Sequence, residues 1–326
     1  MATIKDVAQH AGVSTATVSR FINGTGVVKE QKAERISEAI EALNYYPNLQ
    51  ARNLRTTRTN YILVLVPSIE NSFLSRVIRG IQKVGNQNGY SIILGITYNN
   101  FANEQAYLDL VKSRGVDGII TIAPTVGEEV VKKLYREYPI LQCSEYCTQD
   151  IPYITVDNYA AAYEITELLI ARGCHRLALI SSDLDIISFK EREAGFFQAL
   201  VDHSIPFDHE LEARVPLGFI AGKKATKKLM KQHPDGIFAV ADILALGAIR
   251  QILDAGLDVP GDVKVAGFDG IPLSRELHPS LTTIIQPAYD MGKMAAQLII
   301  EMIEGHDVEK RTVLPYRIVS RRSTEK

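Results

Sequence analysis

Residues 13–23, VSTATVSRFIN, put small polar side chains and one long cation on a short stretch. Ser14 heads it; Thr15, Ala16, Thr17 and Ser19 are all small, and Arg20 alone can reach far. A core helix would bury large apolar residues, but only Val18 with Phe21 or Ile22 can anchor this one inward. The other face is thin enough for a major groove about 12 Å wide. Hydroxyls at its N-terminus can meet phosphates or base edges beside the free N–H groups there. Arg20 can take O6 and N7 of a guanine, a pairing worth about 1–3 kcal/mol of discrimination. The competing reading is a small-residue helix packed tightly on a neighbour.

Three short helices over residues 3–44 are predicted to position that face. In TIKDVAQHA, Ile4, Val7, Ala8 and Ala11 share a side, Thr3 is the N-cap, and Gly12 ends the helix. Ser14 caps the second helix, which Asn23-Gly24 stops. EQKAERISEAIEALN is the third, with Ala33, Ile36, Ala39, Ile40 and Leu43 inward. Two helices across a glycine turn, braced by a third, form a helix-turn-helix. Residues 1–60 hold eight basic and five acidic side chains, leaving 28 basic and 33 acidic for the rest. A basic head on an acidic body points to a polyanionic partner for the head alone.

PNLQARNLR, residues 47–55, follows the head. Pro47 opens it and Asn48 follows as a cap-like residue. At nine residues it falls short of the ~12–15 at which an isolated helix becomes even marginal in water. Arg52 and Arg55 can neutralise phosphates, and Leu49 is expected to pack on the head.

From Tyr61 the rhythm changes. YILVLVP, SIILGIT, GIITIA, PILQCS, ITVD, RLALIS, GIFAVA and VKVAGFD are short apolar runs separated by helical stretches. Continuous apolar strands alternating with helices form parallel sheets covered on both faces. The strands are too many for one small sheet, so two doubly wound subdomains are expected. Crossings should fall near Asp157-Asn158, near Gln286-Pro287 and again near the C-terminus. Ligands bind beyond the C-terminal ends of such strands, and here also between lobes. The polar residues at those ends are Asn71, Ser144, Glu145, Arg192, Asp242, Asp269 and Gln286, with Phe73 beside them. Asp242 serves equally well as a helix cap. Arg192 with carboxylates and amides suits vicinal hydroxyls, and Phe73 suits a sugar or base face.

Other chemistry is harder to place. The histidines are scattered, and no nucleophile–base pair or metal cluster is recognisable. Cys143, Cys147 and Cys174 read as free thiols. GFIAGKKAT misses both the spacing and the Ser/Thr of a phosphate loop and reads as a surface helix. No apolar stretch nears the ~18 residues of a membrane span. MATIKDVAQH lacks a signal-peptide pattern, so a cytoplasmic protein is expected.

TIKDVAQHAGVSTATVSRFING and LNYYPNLQARNLRT, followed by VDN, ADILALGAI, GFDG and LTTIIQP, resemble the lactose-repressor (LacI/GalR) family of bacterial transcription regulators nearly end to end. The resemblance implies an α/β chain with a three-helix head (residues 1–46) and a hinge helix and linker (47–59). It also implies a periplasmic-binding-protein-like effector domain of two doubly wound parallel-sheet subdomains (60–326). The first subdomain should cover about 60–157 and 288–318, the second about 158–287 and 319–326. A homodimer reading a palindromic operator is implied, with Thr15, Ala16 and Arg20 at base-reading positions and Leu54 as a wedge into the minor groove. The candidate DNA contacts are Thr3, Ser14, Thr15, Ala16, Thr17, Ser19, Arg20, Asn23, Lys29, Asn48, Ala51, Arg52, Leu54 and Arg55. The eight residues at the strand ends match the family's effector contacts.

The chain departs from the family in places. Val28-Lys29-Glu30-Gln31 replaces the Ser/Thr that caps the third helix, a loss of about 0.5–2 kcal/mol, which Lys29 and Lys32 offset if they touch phosphate. Leu217 stands where relatives carry an aromatic platform, with Phe219 displaced by two, and Ser181-Ser182 replaces a glycine pair. A pocket of altered shape is therefore expected. The effector is expected to be a sugar first and a nucleoside second, since ILVLVP, VIRGI and ADILALGAI look closest to nucleoside-responsive members. No cofactor is implied. The alternatives are the same head governed by a protein co-regulator, and a sugar-processing enzyme with an accessory head. YRIVSRRSTEK shows no leucine heptad, which favours a dimer over a tetramer.

Overall fold

The computed structural model describes residues 2–23, 26–45, 58–113, 115–124 and 126–325. The chain divides into two compact units, residues 1–59 and 60–326. In the first, α1 (Ile4–Ala11), α2 (Thr15–Asn23) and α3 (Glu30–Ala42) enclose a small core of Val7, Ala8, Ala11, Val18, Ile36, Ala39 and Tyr45. Gly12 makes the turn: at φ +61° it returns its N–H to the Ala8 and Gln9 carbonyls, a conformation that costs glycine little. The third helix stops at Ala42, earlier than its apolar pattern suggests. Asn44, at φ +45°, turns the chain, and Tyr45 donates to the Ile40 carbonyl at 2.9 Å.

The second unit holds two six-stranded sheets. One is built from β1 (Tyr61–Val66), β2 (Ser91–Ile96), β3 (Gly118–Thr121), β4 (Ile140–Cys143), β5 (Tyr153–Val156) and β11 (Arg311–Leu314), in the order β2-β1-β3-β4-β5-β11, all parallel. The other is built from β6 (Leu177–Ser182), β7 (Glu212–Val215), β8 (Gly236–Ala239), β9 (Lys264–Asp269), β10 (Thr282–Ile285) and β12 (Arg317–Val319), in the order β7-β6-β8-β9-β10-β12. Only its β10–β12 pair is antiparallel. The central strands are buried on both faces, which explains why they read as unbroken apolar runs.

The chain passes between lobes three times. It leaves the first sheet after β5 and enters α7 (Asn158–Ala171), capped by Asp157 through a 2.9 Å bond from the Ala160 N–H. It returns after β10 into α12 (Ala288–Glu304) and crosses finally between Leu314 and Arg317. That last crossing lies earlier than the 318/319 boundary expected, because β12 already pairs with β10. Helix α12 rejoins the first lobe against α4 (Ser72–Gln87) with backbones almost touching: a methyl group on Gly292 would meet the Val77 carbonyl.

Candidate DNA-binding face and effector cleft

In the head, Thr15, Ala16 and Arg20 are exposed and Val18 is fully buried, so α2 is anchored on one side and open on the other. Among the described residues, no neighbouring helix covers Thr15 or Ala16. Ser14 Oγ accepts the Thr17 N–H at 3.2 Å and lies 2.9 Å from the Thr17 hydroxyl, so these two residues shape the helix start. Thr3 and Asp6 form a capping box on α1. These hydrogen bonds with Thr3 hold the Asp6 carboxyl below its usual range. Lys29 occupies the N-cap of α3 and makes no side-chain cap bond. The Asn23 side chain and Asn48, Ala51, Arg52, Leu54 and Arg55 lie outside the described residues.

Between the two lobes lies a cavity of about 790 Å³, walled by segments that follow the C-terminal ends of strands in both sheets. Seven of the eight sequence candidates line it: Asn71, Phe73, Ser144, Glu145, Arg192, Asp269 and Gln286. Arg192 sits on α8 (Ile187–Asp202), whose buried stripe runs Ser188, Phe189, Arg192, Glu193, Phe196, Ala199, Leu200. A cation on an otherwise core-facing stripe must find partners. Arg192 Nε donates to Asn158 Oδ1 at 3.0 Å and Nη1 to the Val240 carbonyl at 2.6 Å. Its guanidinium lies 3.6 Å from the centre of the Phe268 ring, and Nη1 is 3.5 Å from Asp269 Oδ1.

Asp269 has φ +118°, a conformation L side chains rarely adopt and one that typically costs about 1–3 kcal/mol. Gln286 Nε2 secures its carboxylate at 2.8 Å. Ser144, ending β4 in the other lobe, also has positive φ, at +70°. Burial pushes the Asp269 carboxyl up to about 6, although Arg192 and Gln286 pull it down. Glu145 is pushed to about 7 by burial, against the pull of its Ser188 bonds and the Arg192 charge. Its Oε2 accepts the Ser188 N–H at 3.2 Å, and its Oε1 accepts the Ser188 hydroxyl. Asn71 caps α4 by accepting the Phe73 N–H at 2.9 Å.

Asp242 is the exception among the eight. It begins α10 (Asp242–Asp254) fully buried and does not line the cavity; Ala241 and Ile243 do. Its carboxylate accepts the Ile271 N–H at 2.9 Å and the Thr283 hydroxyl at 2.5 Å. Asp242 therefore braces the loop after β9, and burial raises its carboxyl well above the usual range. The Ser181-Ser182 departure does not reach the cavity either. Ser181 donates to Glu193, which Arg214 pairs at 2.6 Å, and Ser182 Oγ accepts the Leu184 N–H at 3.3 Å. Leu217 and Phe219 both line the cleft.

Sequence reasoning missed Ser188, Asn158 and Tyr146, whose hydroxyl donates to Glu191 across the lobes at 2.8 Å. The polar interruptions of the α8 stripe were the available signal for Ser188. The cysteines are free, and no three His, Cys, Asp or Glu among the described residues could hold a metal ion. No helix among them is long and apolar enough to cross a membrane.

A helix-turn-helix with an open face and a two-lobed cleft on one chain define a sequence-specific DNA-binding transcription regulator. Residues 3–48 match the model for bacterial regulatory proteins of the lacI family, and residues 166–324 match the periplasmic binding protein-like domain. The chain is 34% identical to the ribose operon repressor of Halalkalibacterium halodurans, covering 100% of this chain and 98% of that protein. It is 35% identical to catabolite control protein A of Priestia megaterium over 99% of each. The lac repressor dimer bound to operator and the anti-inducer ONPF superposes with a TM-score of 0.87 at 26% identity, covering 99% of both chains. The chain belongs to the lacI family of bacterial regulatory proteins.

Proposed function

We propose that this chain is a cytoplasmic, non-enzymatic repressor that binds a palindromic operator as a homodimer, and that a sugar held between its lobes resets its operator affinity. The observation that carries the effector reading is the buried group at the cleft floor: Arg192 beside Asp269, with Glu145 bonded across the lobes to Ser188. A guanidinium, two carboxylates and the Gln286 amide offer donors and acceptors at the spacing of neighbouring hydroxyls. Two carboxylates at the floor disfavour a strongly anionic ligand. The resemblance to a ribose operon repressor agrees with a sugar and keeps a nucleoside as the second choice.

In the head, Thr15, Ala16 and Arg20 are proposed to read bases, with Thr3, Ser14, Thr17, Ser19, Asn23 and Lys29 on or near the backbone. Asn48, Ala51, Arg52, Leu54 and Arg55 are proposed to form a hinge that folds in the minor groove only when two copies meet there. A ligand that binds one lobe arrangement better than another then changes DNA grip by linkage alone. Calorimetry against pentoses, hexoses and nucleosides tests the effector reading: heat from one class is expected, and no heat from any of them removes it.

A further inference from the structure

Net charge gives the polyanionic partner to the head alone, yet the acidic second unit contains a local exception. Helix α9 (Phe219–Leu229) and the 3-10 turn Met230–Gln232 that continues it carry Lys223, Lys224, Lys227, Lys228 and Lys231. Lys223 is engaged, 2.5 Å from Asp254. The other four lie at i, i+3, i+4 and i+7, one face of a helix, and all four are exposed. Among the described residues, none of these four makes a hydrogen bond or an ion pair.

Like charges at those spacings destabilise a helix. Lys227 and Lys228, in the last turn, offset part of that against the negative end of the helix dipole. Lys224 lies a turn too early for the same role. Packing holds the row in place: a methyl group on Gly222 would meet the Leu244 carbonyl, and one on Gly247 the Phe219 carbonyl, so α9 lies with its backbone against α10. Ala225, Thr226 and Leu229 are buried.

We propose that this lysine face docks duplex DNA through its phosphates, independently of sequence and in addition to the helix-turn-helix. The four charges lie along roughly 10 Å of axis at ~1.5 Å per residue. Duplex DNA offers one negative charge per ~1.7 Å, a density that meets all four at once. The row holds lysines alone, compact point charges without the fork of arginine, and no aromatic ring for a base to stack on. It therefore suits phosphates and not base edges. Ile220, 61% exposed at the N-terminal end of the row, is the one exposed large apolar side chain of the helix. A single isoleucine is too little to seat α9 in a lipid surface.

The test uses the full chain loaded with a stoichiometric, unlabelled operator duplex selected from random DNA. Fluorescence anisotropy then follows a second, labelled duplex that lacks the operator. The second duplex is expected to bind, and its affinity should fall about 100-fold between about 50 and about 200 mM salt, as roughly four phosphate contacts require. Changing Lys224, Lys227, Lys228 and Lys231 together to Gln should weaken it at least tenfold and leave operator affinity within twofold, which also shows that the variant is folded. The same four changed to Arg should retain it. No binding of the second duplex, or equal binding by the Gln variant, overturns the proposal. Loss of both DNAs in the Gln variant overturns it too, because the face is then not separate from the head. So does a phosphatidylglycerol vesicle or polyglutamate that binds through these lysines as tightly as the duplex.

Discussion

Glu145 Oε2 accepts the Ser188 N–H at 3.2 Å, joining the end of β4 in one lobe to the start of α8 in the other. Four residues along, Arg192 on the same helix reaches Asp269 at the end of β9. One helix thus touches both walls of the cleft, and Tyr146 adds a second tie between lobes through Glu191. A ligand that competes with Ser188 for Glu145 acts directly on a contact between the lobes.

The Glu145 carboxyl fixes a pH dependence. Its folded value of about 7 lies above its ordinary 4.5, so between those values the folded chain holds a proton that the unfolded chain has released. Stability then falls as pH rises through that window. Relative to Glu145→Gln, the unaltered chain should lose melting temperature from pH 4.5 to 7 and level off above. Parallel curves would show that Glu145 is not so shifted.

Replacing Arg192 by Leu strips Asp269, Asn158 and the Val240 carbonyl of a buried partner. Breaking a buried pair from one side costs about 3–5 kcal/mol. Urea unfolding should show a loss of that order, partly restored by Asp269→Asn in the same chain.

Arg20 is exposed on α2, so Arg20→Ala should leave the melting temperature unchanged while relaxing specificity at one base pair by about 1–3 kcal/mol. Lys29→Ala and Lys32→Ala should instead weaken binding to all sequences. Each should flatten the slope of log K against log salt by about one. An unchanged slope would remove the phosphate contacts assigned to them.

Much of this fold was legible because its central strands are buried on both faces and read as apolar runs. Four strands escaped: β7, β11 and β12 are short, half-exposed edge strands whose sequences EARV, RTVL and RIV mix charge with apolar residues, and β10, TTII, is buried but half threonine. At the cleft, seven of the eight residues picked from the sequence line the cavity and Asp242 does not. A carboxylate at a strand end reads alike whether it faces a ligand or braces a loop; only Ile271 and Thr283, 29 and 41 residues away, decide it. Ser188 interrupts the apolar stripe of α8, but its partner Glu145 is 43 residues distant, so the pairing itself was not legible.

The wedge role of Leu54 predicts that Leu54→Ala weakens binding to a selected operator at least tenfold while leaving non-specific binding within about twofold. An apolar wedge gains only where it parts a deformable base step. Equal losses on both DNAs would refute it.

The central claim is that a ligand in the cleft alters DNA grip, and fluorescence anisotropy tests it most directly. The full chain would be titrated onto an operator selected from random DNA, with and without a sugar or nucleoside shown by calorimetry to bind. Operator affinity should change by about 5–150-fold, the range of ordinary coupling between sites, and the change should vanish in Arg192→Leu. An identical titration with the ligand bound would contradict the account and point to a protein co-regulator instead.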